Sequence, residues 1–474
     1  MSANAATRKK LYIKTYGCQM NSYDTKRMED ILRPLGYDAA QDAVNADMVI
    51  LNTCHIREKA TDKVFSDLGR IRLLKTAKEK QGGQMVVAVA GCVAQAEGDV
   101  ILSRARYVDM VFGPQTYYQL PEMVAKITGA YGAERIINTD FPIEEKFDHL
   151  PQENQVTGPA AFLSIQEGCD KFCTFCVVPY TRGAEYSRAA SDILAEAARL
   201  IAGGARDITL LGQNVNAYHG RGSDGSVWSL ARLLQELQNM DGIERLRYTT
   251  SHPCDVTDDL IAAHRDLPKV MPYLHLPVQS GSDKILKAMN RKHTAQSYFD
   301  TIDKFRTARP DIALSSDFII GFPGETDDDF AQTYQMVEQI GFAAAYSFKY
   351  SARPGTPAAN MQNLVREDVK DQRLQSLQSL IQKQSESFNQ SFVNSQVSVL
   401  IDDFNAPEMR LHGRTPHNQS VHINLKPSDN VAGNISPTLP SAISPLPQRL
   451  VGQTLPVRTT SAGVMALHGS LVVA

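Results

Sequence analysis

The chain has 474 residues, of which 43% are hydrophobic and 21% charged, a composition that excludes a disordered or fibrous protein. Its 49 basic and 52 acidic residues give a formal charge of -3, so overall positive charge does not recruit nucleic acid. No apolar run approaches the ~18 residues of a membrane span, and the first ten residues do not form a secretory signal. We therefore expect a monomeric cytoplasmic chain of several domains without membrane association. Its seven cysteines favour metal ligation or catalysis over disulfides.

The first 145 residues predict an α/β domain with a parallel, flavodoxin-like sheet. Strand-like segments at 11–18, 47–54 and 85–92 are each followed by a helical pattern, the first at 22–35. Right-handed crossovers bring the carboxyl ends of such strands to one edge, where open α/β sheets bind ligands.

The cysteines of this domain end those three strands, in the sequences TYGC, LNTC and VAGC. Cysteine is also a common buried small side chain, so packing is one interpretation of Cys18, Cys54 and Cys92. Their equivalent positions at the predicted ligand-binding edge favour ligation of a metal group with one coordination site left vacant.

A charged, Pro- and Gly-containing stretch at 141–160 predicts a linker, and a second domain follows at 155–388. Six strand-like segments precede helical ones here, at 161–166, 207–212, 245–250, 271–276, 314–321 and 343–350. Two clear amphipathic helices are predicted at 191–202 and 297–307. This order predicts a partial (β/α)6 barrel, whose chemistry is expected on loops at the carboxyl ends of the strands.

The last part of the chain, 389–474, predicts a small all-β domain after a helical stretch at 366–390. Short alternating strands are expected at 396–401, 421–424, 453–459 and 470–473, with a Pro-rich loop at 426–448. Its phenylalanines are limited to Phe392 and Phe404, so base stacking on this domain is not predicted from its aromatic content.

The strongest chemical signal is GCDKFCTFC, which places Cys169, Cys173 and Cys176 within eight residues, on the loop after the first barrel strand. A structural zinc site needs four ligands, and no fourth cysteine or histidine lies near in sequence. An iron–sulfur cluster held by three thiolates leaves one iron open, so the spacing favours a cluster over zinc. Cys254 has no partner motif and receives no role.

This cysteine spacing resembles the signature of the radical S-adenosylmethionine (SAM) superfamily. The segments LLGQNVNAY, LPVQSGSDKILKAMNR, DFIIGFPGET and YSARPGTPA resemble its methylthiotransferase branch, as do TYGCQMN and LNTCHIREKA near the amino terminus. The β tail resembles the TRAM RNA-binding domain of that family. The resemblance covers nearly the whole chain.

The resemblance implies two four-iron (4Fe-4S) clusters. Cys169, Cys173 and Cys176 would hold one, whose open iron binds the amino and carboxylate groups of SAM, with Phe175 near the adenine. Cys18, Cys54 and Cys92 would hold an auxiliary cluster that carries the sulfur to be transferred.

Further cofactor contacts are predicted with their structural alternatives left open. Gly321 and Glu325 lie in a segment that resembles an adenine-supporting turn but also has the composition of a plain strand-to-helix turn. Gln213 and Gln279 end predicted barrel strands. One interpretation is that they contact the cofactor or the substrate, and the other is that they cap loops. Several cations on loops near the predicted active face could together steer an RNA loop: Arg182, Arg188, Arg291, Lys292 and Arg353.

The resemblance implies methylthiolation of carbon 2 of N6-isopentenyladenosine beside the tRNA anticodon. A radical cofactor is required because no side-chain base removes hydrogen from an unactivated aromatic carbon. Partners would be tRNA, an electron donor such as flavodoxin, and proteins that deliver sulfur or iron–sulfur clusters. Alternatives are a methylthiotransferase for a ribosomal-protein aspartate or for threonylcarbamoyl-adenosine tRNA, and a non-catalytic iron–sulfur carrier.

Overall fold

A computed structural model gives the structure of the chain. It describes residues 8–54, 60–129, 135–142, 146–147, 149–151, 156, 158–425 and 446–472. Residues 426–445 of the predicted Pro-rich loop lie outside the described residues. Within the described ranges, no helix combines the length and the apolar character that crossing a membrane requires.

The chain divides into two compact units. The first contains residues 1–155, 166–170 and 176–188, and the second contains residues 156–165, 171–175 and 189–474. The predicted cysteine loop at 169–176 therefore contributes residues to both units.

The strands and helices occupy the following ranges. The strands are β1 (Lys9–Thr15), β2 (Tyr37–Ala39), β3 (Met48–Thr53), β4 (Val86–Gly91), β5 (Met110–Phe112), β6 (Ile136–Asn138), β7 (Ala160–Ser164), β8 (Gln166–Glu167), β9 (Tyr186–Ser187), β10 (Asp207–Leu211), β11 (Arg245–Thr249), β12 (Tyr273–His275), β13 (Ala313–Ile320), β14 (Ala344–Lys349), β15 (Gln396–Asn405), β16 (Arg410–Arg414), β17 (Ser420–Asn424), β18 (Thr454–Ala462) and β19 (Ala466–Leu471). The α-helices are α1 (Gln19–Leu32), α2 (Ala60–Lys80), α3 (Cys92–Arg104), α4 (Leu120–Thr128), α5 (Val178–Thr181), α6 (Ala190–Ala202), α7 (Leu230–Gln238), α8 (Asp258–Asp266), α9 (Asp283–Ala288), α10 (Ala295–Ala308), α11 (Asp327–Ile340) and α12 (Glu367–Gln390).

The first unit is built on a parallel sheet with the strand order β2-β1-β3-β4-β5-β6. β3 and β4 are buried along their whole length because apolar clusters cover both faces of the sheet. Ile50 packs in one cluster and Leu51 in the other, as the two-residue period of a strand requires. This is the flavodoxin-like strand order, so the predicted fold of this part is confirmed. In such sheets ligands bind beside the carboxyl ends of β1 and β3, where the strand order reverses.

The second unit contains the predicted partial barrel. Parallel strands pair in the orders β11-β10-β7 and β12-β13-β14, and a parallel bridge between Leu246 and Val270 lies between the two sets. The strands thus follow one another in chain order. The core lies between these strands and their helices, with Leu210, Leu246 and Leu314 among its buried residues.

Two helices of the barrel begin with reciprocal side-chain caps. Thr294 and Ser297 form a capping box at the start of α10, and Thr326 and Asp329 form one at the start of α11. Each box satisfies backbone N–H groups that the first turn of a helix leaves unpaired. α10 occupies 295–308, close to the predicted 297–307.

The carboxyl-terminal part of the second unit is a closed β-barrel in the order β15-β16-β17-β19-β18. Val399, Val421 and Val457 are fully buried in its core. It packs against the amino ends of barrel strands: Arg247 of β11 donates hydrogen bonds to the carbonyls of Thr415 and Pro416 at 2.9 and 2.8 Å. The small barrel therefore contacts the edge of the (β/α) sheet opposite to its carboxyl ends.

The sequence prediction missed several short strands. β2, β5 and β6 have three residues each, too few for a periodic pattern, and in β16 glycine and charged residues interrupt the strand signal of RLHGR. β12 is shorter than the predicted strand at 271–276, and β19 begins at Ala466 rather than at 470. The predicted fold class is nevertheless confirmed.

Candidate functional site

The cysteines that follow strands of the first unit lie at one edge of its sheet. Cys18 stands between β1 and α1, Cys54 follows β3, and Cys92 is the first residue of α3. Strands β1, β3 and β4 are neighbours, and Thr53 at the end of β3 pairs with Gly91 at the end of β4. A side-chain hydrogen bond joins Cys18 to Cys54, and Cys18 interacts electrostatically with Cys92. The structure therefore brings these thiols together.

Glycines permit the close packing of backbone at this edge. Gly17 has a φ of +93°, and a Cβ atom there would lie 2.2 Å from the Cβ atom of Cys54. Gly91 has a φ of +88°, and its Cβ would lie 2.3 Å from the carbonyl oxygen of Thr53. Only glycine combines this left-handed backbone with this absence of a side chain. Gly17 and Gly91, which precede Cys18 and Cys92, thus allow the ends of β1, β3 and β4 to lie close to one another.

A buried arginine lies beside the thiols. Arg182 is 2% exposed and interacts electrostatically with the thiols of Cys92 and Cys18. Its Nη2 atom also donates to Oδ1 of Asn21 at 3.2 Å, and Nδ2 of Asn21 donates to the carbonyl of Thr53 at 2.9 Å. Arg182 therefore adds an N–H donor and a positive charge to the edge where the cysteines meet.

The charge of Arg182 is balanced by buried carboxylates. Nη2 of Arg182 lies 2.6 Å from Oδ2 of Asp24, and Nη1 lies 3.1 Å from Oε1 of Glu167. Lys146, also fully buried, lies 2.5 Å from Glu167 and 3.5 Å from Asp24. These two cations and two carboxylates cancel in charge, as burial away from water requires.

The protonation of the thiols reflects these contacts. The hydrogen bond with Cys54 lowers the pKa of Cys18 to about 6, with burial opposing and Arg182 assisting. Burial raises the pKa of Cys92 although Arg182 acts in the opposite direction. Cys18 is the N-cap of α1 and Cys92 starts α3, positions at which the helix dipole stabilises a thiolate. Thiolate is the form that binds metal.

The donor set fits an iron–sulfur cluster. In the described part of the chain, no three His, Cys, Asp or Glu side chains converge closely enough to hold a single metal ion. In a four-iron cluster each thiolate binds a different iron atom, so three thiols would hold such a cluster and leave its fourth iron open. Cluster sulfurs also accept N–H hydrogen bonds, which Arg182 is placed to donate.

The second group of cysteines lies on the loop after β7. Cys173 is buried, whereas Cys169 and Cys176 are half-buried. Residues after α9 hold the loop at Cys173: the backbone N–H of Thr174 donates to the carbonyl of Met289 at 3.1 Å, and Nδ2 of Asn290 donates to the carbonyl of Phe172 at 3.0 Å. Their ligation of one cluster stays a prediction.

Cys173 also has a buried arginine beside it. Nη1 of Arg291 lies 3.5 Å from Sγ of Cys173, and Nη2 donates to the carbonyl of Pro277. Arg291 is 5% exposed. Its guanidinium therefore spans from the segment after β12 to the cysteine loop.

The other predicted cofactor residues lie as follows. Phe175 packs against an apolar cluster that contains Met289 and Phe322. Gln213 follows β10 and is half-buried. The N–H of Gly321 donates to Oε1 of Glu325 at 2.9 Å, and burial raises the pKa of Glu325. The Gly321–Glu325 contact closes the turn after β13, which supports the structural alternative; their contact with a cofactor stays a prediction.

The prediction that five loop cations steer RNA is wrong for three of them. Arg182, Arg188 and Arg291 are 2%, 5% and 5% exposed, so they cannot meet a phosphate backbone at the surface. Arg182 and Arg291 instead contact thiols, because a guanidinium donates several hydrogen bonds from one buried position. Lys292 is exposed.

Two known protein families match separate parts of the chain. Residues 10–113 match the uncharacterized protein family UPF0004, and residues 163–337 match the radical SAM superfamily. The chain has the domain architecture of the MiaB-type radical SAM methylthiotransferases. The matched regions contain Cys18, Cys54 and Cys92 in the first domain and the 169–176 loop in the second.

Two solved structures are similar to the chain in fold. The radical SAM methyltransferase TsrM from Kitasatospora setae, with cobalamin and a [4Fe-4S] cluster bound, is 14% identical, with a TM-score of 0.53 over 74% of this chain and 77% of that one. The cobalamin-dependent radical SAM enzyme OxsB, with aqua-cobalamin and SAM bound, is 13% identical, with a TM-score of 0.50 over 79% of this chain. The chain spans 56% of the length of OxsB.

Sequence reasoning did not predict which polar groups lie beside the thiols. Asn21 lies three residues after Cys18, Glu167 lies two residues before Cys169, and Arg182 lies six residues after Cys176. For Glu167 and Arg182, the available signal was a charged residue close in sequence to the cysteine motif. The side chains that these residues contact are determined only by the tertiary structure.

Proposed function

We propose that the chain transfers a methylthio group to carbon 2 of N6-isopentenyladenosine beside the anticodon of tRNA. The observation that carries the proposal is the gathering of Cys18, Cys54 and Cys92 at one sheet edge, in a chain whose other cysteine motif lies in a radical SAM domain. A sulfur-transfer enzyme needs both a radical generator and a place to hold sulfur, and the two sets of thiols supply both.

The residues present fit the two clusters. Each set has three thiols, which leaves one iron of a four-iron cluster without a protein ligand. When bound, the clusters and SAM supply a deoxyadenosyl radical for removal of hydrogen and a sulfur for transfer. The chain itself supplies buried cations beside the thiols: the guanidinium of Arg182 lies beside Cys92, and that of Arg291 lies beside Cys173.

The barrel also offers a surface for a flat base. Tyr346 and Phe348 of β14 are 53% and 45% exposed, on the strand face opposite to that of the buried Ser347. Tyr346 pairs with Asp317 on β13, and Asp317 lies 3.5 Å from His275 of β12. Exposed aromatic rings beside hydrogen-bonding groups are the means by which proteins hold an unstacked base. This supports a nucleobase as the substrate over a protein side chain.

The cellular test is mass spectrometry of tRNA nucleosides and ribosomal peptides from a deletion strain. We expect loss of 2-methylthio-N6-isopentenyladenosine and accumulation of N6-isopentenyladenosine. Loss of methylthio-threonylcarbamoyl-adenosine or of a methylthio-aspartate peptide instead would overturn the substrate assignment. Unchanged nucleosides and peptides, together with no cleavage of SAM by the purified chain, would indicate an iron–sulfur carrier.

The role of Tyr346 and Phe348 in substrate binding is tested with the purified enzyme. Replacing Tyr346 or Phe348 with Ala should raise KM for an isopentenylated anticodon stem-loop about tenfold, because stacking of one base contributes about 1–3 kcal/mol. Leu73→Ala is the matched control, since Leu73 is an apolar side chain of α2 that is 66% exposed. Equal KM values for all three variants and the parent enzyme would exclude this face from substrate binding.

A further inference from the structure

The buried arginines beside the two sets of cysteines differ in what compensates their charge. Arg182 lies within 3.1 Å of carboxylate oxygens of Asp24 and Glu167. Among the described residues, no carboxylate forms an ion pair with Arg291. Its Nη groups instead meet the thiol of Cys173 and the carbonyl of Pro277.

The histidines near Arg291 carry no negative charge that could balance its guanidinium. Burial, followed by Arg291, lowers the pKa of His252 to about 2, so this ring is neutral near pH 7. Burial and Arg291 likewise lower the pKa of His293 to about 4. The carboxylate of Asp255 lies 2.6 Å from Nζ of Lys171, whose charge it balances. Among the described residues, no ion pair therefore offsets the charge that Arg291 places beside Cys173.

We propose that Arg291 is a positioning residue that raises the reduction potential of the iron–sulfur cluster bound through Cys173. The inference rests on the proposed function, because it takes Cys173 as a cluster ligand. Reduction adds one negative charge to a cluster, and both an N–H donor to a ligand sulfur and a nearby cation stabilise the reduced form. An uncompensated guanidinium therefore eases the electron transfer that must precede cleavage of SAM, whereas the balanced Arg182 leaves the auxiliary site closer to neutral.

The test is a potentiometric titration of the anaerobically reconstituted full-length protein. Electron paramagnetic resonance measures the fraction of reduced cluster at each potential. The variants are Arg291→Gln, which removes the charge, and Arg291→Lys, which keeps the charge but cannot reach both Cys173 and Pro277 with a rigid fork. Lys292→Gln is the matched control, because it removes the same charge from the adjacent exposed residue, where solvent screens it.

At the midpoint potential of the parent SAM cluster, we expect Arg291→Gln to lower the ratio of reduced to oxidised cluster about tenfold, equivalent to about 59 mV for one electron. Arg291→Lys should lower this ratio less, about twofold to fivefold, and Lys292→Gln should leave it unchanged. The auxiliary cluster should keep its midpoint in all variants.

The proposal is overturned if Arg291→Gln binds iron normally and keeps the parent midpoint, or if Lys292→Gln shifts the midpoint equally. If Arg291→Gln fails to bind iron, Arg291→Lys decides: an unchanged midpoint overturns the proposal and a lowered one supports it. A parent protein that cleaves SAM but transfers no methylthio group would overturn only the proposed function, while the midpoints still decide the role of Arg291. A parent protein that binds no cluster would overturn both.

Discussion

The cysteines at the sheet edge and those on the loop after β7 are held in position by different kinds of contacts. At the sheet edge, Cys18, Cys54 and Cys92 follow adjacent rigid strands, and Arg182 is paired with carboxylates. At the loop after β7, hydrogen bonds from residues after α9 hold the chain around Cys173, and Arg291 has no such pairing among the described residues. The charge of Arg182 is therefore cancelled by its carboxylate partners, whereas Arg291 leaves a net positive charge beside Cys173.

Substitution of a ligand in each site gives the largest expected effect. Cys173→Ser should abolish production of 5′-deoxyadenosine from SAM, because the radical-generating cluster loses a thiolate. Cys54→Ser should spare that production but stop transfer of sulfur. Both are measured by chromatography of products from reduced, reconstituted enzyme with tRNA. If Cys54→Ser also abolished deoxyadenosine, the separate roles of the two sites would be wrong.

The balanced network around Arg182 should contribute strongly to stability. Arg182→Met leaves Asp24 and Glu167 buried with only Lys146, and we expect a loss of about 3–5 kcal/mol in the free energy of unfolding. Arg206→Met is the control, because Arg206 and Glu244 are 43% and 38% exposed and such a pair contributes no more than about 1 kcal/mol. Urea denaturation of the metal-free proteins measures both, and equal losses would contradict the network's role.

Substitution of a glycine at the sheet edge should lower the free energy of unfolding by a smaller amount and affect mainly the auxiliary site. Gly17→Ala places a methyl group against Cys54 in a left-handed backbone, and we expect a loss of about 1–3 kcal/mol together with depletion of iron from the auxiliary site. Gly36→Ala isolates the backbone strain, because Gly36 has a φ of +87° and a methyl group there would meet no atom within 4 Å. Iron analysis and urea denaturation compare the two. Identical iron contents would show that close packing at Cys54 does not shape the site.

Much of the fold could be predicted from local patterns. Strands β1, β3 and β4 are predictable because their apolar, β-branched runs are bounded by helical periodicity, and the partial barrel follows from its alternating strand and helix signals. The strands that the prediction missed are short or interrupted by charged residues, as β16 is, so their pairing depends on neighbours that are distant in sequence.

The candidate site could be predicted in part. The motif spacing predicts a site at Cys169, Cys173 and Cys176, which stays a prediction, and the strand ends correctly predict that Cys18, Cys54 and Cys92 meet at one sheet edge. The roles predicted for Arg182 and Arg291 were wrong, because an arginine on a loop is usually solvated and nothing local indicates that it will be buried. The exposed aromatic pair on β14 also escaped prediction, since its register against Asp317 exists only after β13 and β14 pair.

The sequence by itself determined the order of elements, the thiols available for metal and the edge of the sheet at which three of them end. These depend on local periodicity and on the handedness of crossovers, which act on neighbouring residues. Only the tertiary structure decided which charges surround each thiol. Electrostatic balance in a buried site depends on groups brought together from distant segments, as Asp24, Lys146, Glu167 and Arg182 are.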